Sequence, residues 1–587
     1  MLMFSGEVMS RFYTDEKNVL IIIALLKANN IRKVIASPGA TNVTFVASVQ
    51  NDSFFEVYSA VDERSAAYMA CGLAHESGEP VVISCTGATS SRNYMPGMTE
   101  AYYRKLPVLA ITSTQSVARV GHHIAQVTDR SNKPNDTQRL SVALPIVKDA
   151  DDFWECEIEV NKAILELKRA GGGPVHINLP TRYSQSYGTK ALPTCRVMDR
   201  FTATDKLPKL KGRVAVFIGA HRDFSVEDTR ILDDFCSAND AVVFCDHTSG
   251  YKGKYSLLYS LAASQDLTNQ KADKPDITIH IGEVSGDYAT MEMVGEEVWR
   301  VSDDGEIRDT FRKLRYVFEM DEKTFFQSYT DSSRELSDKY LKQCKATLAD
   351  IRSELPDIPF SNIWIAARTA HKIPDDSVIH FGILNSLRSW NFYDLPSSVR
   401  SISNVGGFGI DGGLSSFLGA SLAKSDQLCF CIIGDLAFFY DMNALGNRHV
   451  GNNLRIMVVN NGKGTEFRQY NSVAAQVGDQ ADEFIAASGH YGNKSTTLIK
   501  HYAQNLGFNY ISASSKEEYE SVYNQFLAKG VENGSIVFEV FTDSEEESKA
   551  LEVIRNIKKE KKQHLKVIIK RLLRKNKLNI IKRLFSE

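Results

Sequence analysis

Two short apolar runs with polar endings constrain this chain more than anything else in it. Cys429-Phe430-Cys431-Ile432-Ile433 ends in Gly434-Asp435-Leu436-Ala437, and Ile456-Met457-Val458-Val459 ends in Asn460-Asn461-Gly462-Lys463-Gly464. Asp435 and Asn461 stand 26 positions apart. That spacing suits two parallel strands joined by one helix, a crossover that returns both strand ends to the same edge of a sheet. At that edge an Asp carboxylate and an Asn amide oxygen can share one hard cation. Mg²⁺ prefers such oxygen ligands and completes its octahedron from phosphates and water. The flanking glycines let backbone approach a diphosphate. The pattern therefore reads as a metal–diphosphate site on an α/β scaffold.

The Gly-Asp…Asn-Asn pair resembles the signature of thiamine diphosphate-dependent enzymes. The words around it are similar to those of the MenD (SEPHCHC synthase)-like branch: Gly434 through Leu445, with Leu436 where most thiamine enzymes have Gly; Gly409-Ile410-Asp411-Gly412; and Asp62-Glu63-Arg64-Ser65-Ala66-Ala67 near the start. The resemblance runs in order from about residue 15 to about residue 545. It implies thiamine diphosphate and Mg²⁺ as cofactors. Asp435 and Asn461 are the implied side-chain metal ligands, with the Lys463 backbone carbonyl as a third. The loop is one residue shorter than the MenD arrangement, so Asn460 stays open as the alternative. Gly434, Leu436, Ala437, Gly464 and Ser386 are the implied cofactor contacts, and Ile410 the apolar prop that bends thiamine. Glu63 matches the catalytic Glu that touches N1′ of the aminopyrimidine, and it lies between a predicted strand, Val57 to Val61, and a helix. Gln126 and His123 lie on a loop near the family's substrate side, where an imidazole could carry a proton.

The implied fold is α/β: three doubly wound parallel-sheet domains followed by a basic helical tail. We expect a pyrimidine-binding domain over 1–190, a central α/β domain over 191–355, a diphosphate-binding domain over 356–545 and the tail over 546–587. Residues 181–210 and 321–352 read as connectors. A length of 587 residues supports three or four domains, and 43% hydrophobic with 24% charged residues are globular values. Nine cysteines without paired or metal-binding spacing fit a reducing cytoplasm. The first 15 residues lack a leader's basic start and apolar core, and the run Val19 to Leu26 is too short to span a bilayer. From Leu551 to Glu587 thirteen Lys/Arg face three Asp/Glu. Apolar residues recur there at roughly helical spacing, which suits a stripe packed on the body or a peripheral contact with the inner membrane face. No nucleic-acid-binding pattern accompanies them.

The chain departs from MenD on the substrate side. MenD proteins carry carboxylate-clamping arginines at three positions held here by Thr41, Val405 and Trp390, with Arg388 two places before the last. A bidentate Arg–carboxylate pair is hard to replace. The expectation is therefore decarboxylation of a 2-oxo acid, pyruvate favoured, with transfer of the acyl anion to a carbonyl acceptor, a surface-glycan keto-sugar being one such acceptor. The alternatives are SEPHCHC synthesis from 2-oxoglutarate and isochorismate, simple decarboxylation, and a non-enzymatic thiamine-binding relative. The resemblance also implies a homodimer or homotetramer, with Glu63 and Asp435 serving one cofactor from different subunits.

Overall fold

The computed structural model describes residues 12–557, apart from 131–133, 266–269, 332, 334 and 531–533. It is an α/β fold with three parallel sheets of six or seven strands and helices interleaved between them. The described residues fall into two compact units: those up to Asp205 with Gly305–Glu319, and Lys206–Asp304 with those from Met320 onward.

In the first unit the sheet order is Glu56–Ser59, Lys33–Ala36, Val81–Thr86, Val108–Thr114, Val175–Pro180, Leu140–Ala143. Val81–Thr86 and Val108–Thr114 are buried along their whole length, as central parallel strands covered on both faces must be. The helix Lys17–Ala28 buries Val19 and Ile21 to Ile23 completely. Three consecutive isoleucines favour a strand locally, but burial on nearly every face decides for the helix. Two strands of this unit carry little of that apolar pattern in the sequence. Leu140–Ala143 is a half-exposed edge strand with little apolar signal. Asp199–Thr202, inside the expected connector 181–210, pairs in parallel with Leu314–Glu319. Phe201 stacks there on Phe318 with ring centroids 5.5 Å apart, and that long-range contact makes the strand.

The second unit carries five strands of the middle sheet, in the order Ser256–Leu258, Val242–Cys245, Val214–Ile218, Ile277–Ile281, Glu297–Ser302. It also holds the whole third sheet: Arg400–Ser403, Val378–Phe381, Cys429–Gly434, Leu454–Asn460, Ile536–Phe541, Asn509–Ala513. The chain leaves Val378–Phe381 in one direction, to Arg400–Ser403, and then returns to Cys429–Gly434 on the other side. The strand order thus reverses between Val378–Phe381 and Cys429–Gly434, and open α/β sheets take their ligands beyond the carboxyl ends of the strands at such a reversal.

The body continues past residue 545. The helix Ser544–Ile554 crosses the expected boundary, burying Glu547, Ala550 and Ile554. Arg555 Nε then donates to the Ser264 carbonyl at 3.2 Å. The basic run from 558 onward, with the membrane-surface expectation attached to it, lies outside the described residues. Among the described residues no helix is long and apolar enough to cross a membrane.

Glu547 is 4% exposed and accepts the Asn362 N–H at 2.9 Å, so a side chain from one helix satisfies an orphan donor at the start of another, Asn362–Thr369. Burial pushes its carboxyl up from 4.5 to about 7. Between those values the folded chain holds a proton that the unfolded chain has lost, so stability falls as pH rises through the window and the penalty is complete above pH 7. The neutral Glu547→Gln keeps the accepting oxygen. It is expected to match wild type near pH 4.5 and to exceed it at pH 8 by at most about 3 kcal/mol. Unfolding midpoints measured at the two pH values check this; equal midpoints for both proteins at pH 8 would refute it.

Candidate functional site

The carboxyl edge of the third sheet gathers the Gly-Asp and Asn-Asn segments. Gly434 pairs with Val459 at the end of adjacent parallel strands, so Asp435 and Asn461 emerge side by side. Asp435 opens the helix Asp435–Asp441 and is 3% exposed. Its Oδ2 accepts the Gly462 N–H at 3.0 Å. No cation pairs with it among the described residues. Burial drives its carboxyl up to about 7, and the nearby Glu539 adds to the rise. A carboxylate buried without a counter-charge is costly and is commonly paired or metal-bound.

The two asparagines divide the work. Asn460, the last strand residue, donates from Nδ2 to Glu539 Oε1 at 2.7 Å and receives the Gly462 N–H on Oδ1 at 3.2 Å. Tyr510 holds the other Glu539 oxygen at 2.7 Å. Asn460 is thus engaged at both ends of its amide. Asn461 lies beyond the strand on the loop, half-buried, with only a long 3.4 Å contact from the Lys463 N–H to its Oδ1. Lys463 turns its ammonium to Asp482 at 2.8 Å, and its carbonyl accepts the Thr465 N–H at 2.9 Å, which leaves one lone pair. Gly462 has φ +76°, and a Cβ there would meet Asn493 at 2.5 Å.

These groups fit a metal–diphosphate. The unpaired Asp435 supplies the charge a hard cation requires. A Cβ built on Gly434 would meet nothing within 4 Å, so open space adjoins the backbone where Leu436 and Ala437 begin the helix. Gly464 is tied to the Ala486 carbonyl at 2.6 Å, with Leu436 against it. Ile410 is half-buried and packs against both core clusters of this sheet, and a Cβ on the neighbouring Gly409 would meet the Asp411 side chain. Ser386 is buried at the start of the helix Asn385–Trp390, next to Leu384 at φ +68°. Among the described residues no cluster of three or more His, Cys, Asp or Glu offers a rival metal centre.

The first unit carries Glu63, His123 and Gln126. Glu63 begins the helix Glu63–Ser77, whose N-cap Asp62 accepts the Ser65 N–H at 2.8 Å. Asn93 Nδ2 donates to Glu63 Oε2 at 3.1 Å. His122, His123 and Gln126 are exposed on one loop, with His123 and Gln126 both at positive φ. The Gln126 carbonyl passes 3.6 Å from the Cβ position of Gly87, so that loop lies against the end of Val81–Thr86.

The substrate-side departures look different in three dimensions. Trp390 is wholly buried and donates to Asn362 at 3.2 Å, and Val405 joins the same core. Thr41 is locked to Thr86 Oγ1 at 2.5 Å and to the Ser113 carbonyl at 2.8 Å. Arg388 is ion-paired with Glu466 and lies over the Tyr288 ring, so it is not free to serve an anion. Reorienting its amide lets Asn385 donate to Glu466 at 2.7 Å as well. Sequence reasoning missed Glu466, Glu539 and Asn93, because each acts through a contact distant in the chain and none sits in a motif.

Residues 19–133 match the family model of the thiamine pyrophosphate enzyme N-terminal TPP binding domain. A 2-succinyl-5-enolpyruvyl-6-hydroxy-3-cyclohexene-1-carboxylate synthase from Phocaeicola vulgatus is 29% identical over 92% of this chain and 98% of its own length. A protein of the same name from Bacteroides fragilis is 28% identical over the same shares, and one from Desulfotalea psychrophila 27% identical over 88% and 96%.

Proposed function

We propose that this chain, a thiamine diphosphate-dependent enzyme similar to the MenD-like proteins, decarboxylates a 2-oxo acid and joins the remaining acyl fragment to an acceptor, in the manner of the synthases it resembles. The observation that carries the reading is the uncompensated Asp435 carboxylate at the sheet's switch point, in a chain that aligns with those synthases over nearly their whole length. Asp435, Asn461 and the Lys463 carbonyl hold the Mg²⁺. The backbone from Gly434 to Ala437, with Gly464 and Ser386, receives the diphosphate, and Ile410 supports the thiamine. Bound thiamine diphosphate supplies the electron sink for decarboxylation. Glu63 holds and releases the proton on its Oε atoms, positioned by Asn93. His123 and Gln126 offer polar contacts to the substrate from their exposed loop.

The similarity favours SEPHCHC synthesis, with 2-oxoglutarate as donor and isochorismate as acceptor. One observation favours a second reading, a smaller 2-oxo acid such as pyruvate: Thr41, Val405 and Trp390 are buried and uncharged, and Arg388 is neutralised by Glu466. A keto-sugar acceptor rested on the basic tail alone and is not carried forward. Two subunits per active site follow from the resemblance; a measured mass of one chain would refute that.

Release of CO₂ from 2-oxoglutarate and from pyruvate, with thiamine diphosphate and Mg²⁺ and with and without isochorismate, separates the readings. Release from 2-oxoglutarate by at least about tenfold over pyruvate supports the synthase; the reverse ratio supports the smaller donor. No release from either acid under any condition would overturn both.

A further inference from the structure

Within the first unit a small, partly open cavity of about 50 Å³ lies between the sheet and the helix Met95–Tyr103. Arg130 lines it and is 8% exposed. Among the described residues its one hydrogen-bond partner is a neutral hydroxyl, Thr112 Oγ1 at 2.6 Å, and it forms no ion pair. Arginine carries five N–H donors and does not give up its proton, so a guanidinium in this position is both charged and under-used. Burial pulls it down only to about 10.

The neighbouring polar groups cannot supply the missing charge. Thr112 Oγ1 accepts from Arg130 and is also hydrogen-bonded to His176 Nε2 at 2.7 Å, and the opposite ring nitrogen, Nδ1, is hydrogen-bonded to Ser141 Oγ at 2.8 Å; none of these groups carries a negative charge. Cys85, the titratable side chain that Arg130 feels, is a thiol pushed up to about 12 by burial. Asp129 and Arg92 also line the cavity, but both are exposed and neither pairs with Arg130. Met98 and Ala110 complete an apolar wall.

We infer that this cavity binds a small planar oxyanion, of the formate or bicarbonate class, on the guanidinium of Arg130. The volume sets the size. With one water-sized centre for every 10–15 Å³ or so, the space holds about three to five ligand atoms, which suits a formate- or bicarbonate-sized anion. A planar oxyanion matches the guanidinium fork in two parallel hydrogen bonds. The inference does not rest on the proposed reaction, because binding is read on the chain without cofactor.

The test compares thermal midpoints of the full-length protein in formate, bicarbonate and chloride at equal ionic strength and pH 8, for wild type and for Arg130→Met. Wild type is expected to gain roughly 2–4 °C in at least one oxyanion over chloride. Arg130→Met is expected to lose that response while matching or exceeding wild type in chloride. A response to bicarbonate alone assigns the site to hydrated carbon dioxide, and a response to formate assigns it to small carboxylates. Equal wild-type midpoints in all three salts, or a response that survives in Arg130→Met, overturns the inference. Should that variant not fold, broadening of the [¹³C]formate resonance by wild type, reversed by bicarbonate and not by chloride, reads the same site, and no broadening by wild type overturns it.

Discussion

Asp435→Asn is expected to abolish binding of thiamine diphosphate with Mg²⁺ and yet to make the cofactor-free protein more stable. The two effects share one cause. The wild-type carboxylate is 3% exposed, accepts the Gly462 N–H at 3.0 Å beside the backbone N–H groups that open its own helix, and faces no cation among the described residues. Its carboxyl is raised from 3.8 to about 7, so above pH 7 the empty site carries the full cost of an unpaired buried charge. Asparagine is close to isosteric and its Oδ1 can still accept from Gly462. At pH 8 the apo variant should gain as much as about 4 kcal/mol, a figure that shrinks to nothing as pH falls toward 4. In the wild type the cofactor's metal removes the same penalty, so adding thiamine diphosphate and Mg²⁺ should raise its unfolding midpoint strongly and leave the variant's unmoved. Turnover should drop below about 1% of wild type, because an amide oxygen brings no charge to Mg²⁺. Calorimetric scans with and without the cofactor pair give all three readings. A variant that still gains stability from the pair would remove Asp435 from the metal site.

The parts of this molecule legible in the sequence are those written in local chemistry. Val81–Thr86, Val108–Thr114 and Cys429–Gly434 are continuous apolar runs that stop at polar or glycine residues, and a parallel sheet covered on both faces demands such runs. The Gly-Asp and Asn-Asn endings stand out because a strand's carboxyl end is where backbone and side-chain oxygens converge on a ligand. Less legible were features decided by distant partners. Asp199–Thr202 is polar and becomes a strand because Phe201 meets Phe318. Trp390 reads as a pocket substitution but packs wholly inside, held by Asn362. Arg388 reads as a spare cation but is consumed by Glu466. Arg130, beside Asp129 in a loop, looks like surface charge, and only the folded sheet shows it buried over Thr112 and His176. The helix Ser544–Ile554 likewise belongs to the body because Glu547 caps a helix nearly two hundred positions earlier in the chain.

Glu63→Gln is expected to separate chemistry from binding. Glu63 starts the helix Glu63–Ser77, but the capping hydrogen bond belongs to Asp62, whose carboxylate holds the Ser65 N–H at 2.8 Å. The helix should therefore survive the change. Gln offers the same carbonyl oxygen to Asn93, so the side chain should keep its place. An amide cannot hold and return a proton, and loss of a positioned proton carrier costs roughly 10²–10⁴ in rate. Turnover should fall by that factor, while the affinity for thiamine diphosphate, which the proposed function assigns mainly to the Asp435 metal–diphosphate contacts, should stay within a few-fold. Titration calorimetry for the cofactor and CO₂ release from the preferred 2-oxo acid measure the two quantities on one preparation. Rate and affinity lost together would make Glu63 a structural contact. A rate left near wild type would assign the proton transfer to another group, with His123 on the neighbouring loop the first to replace.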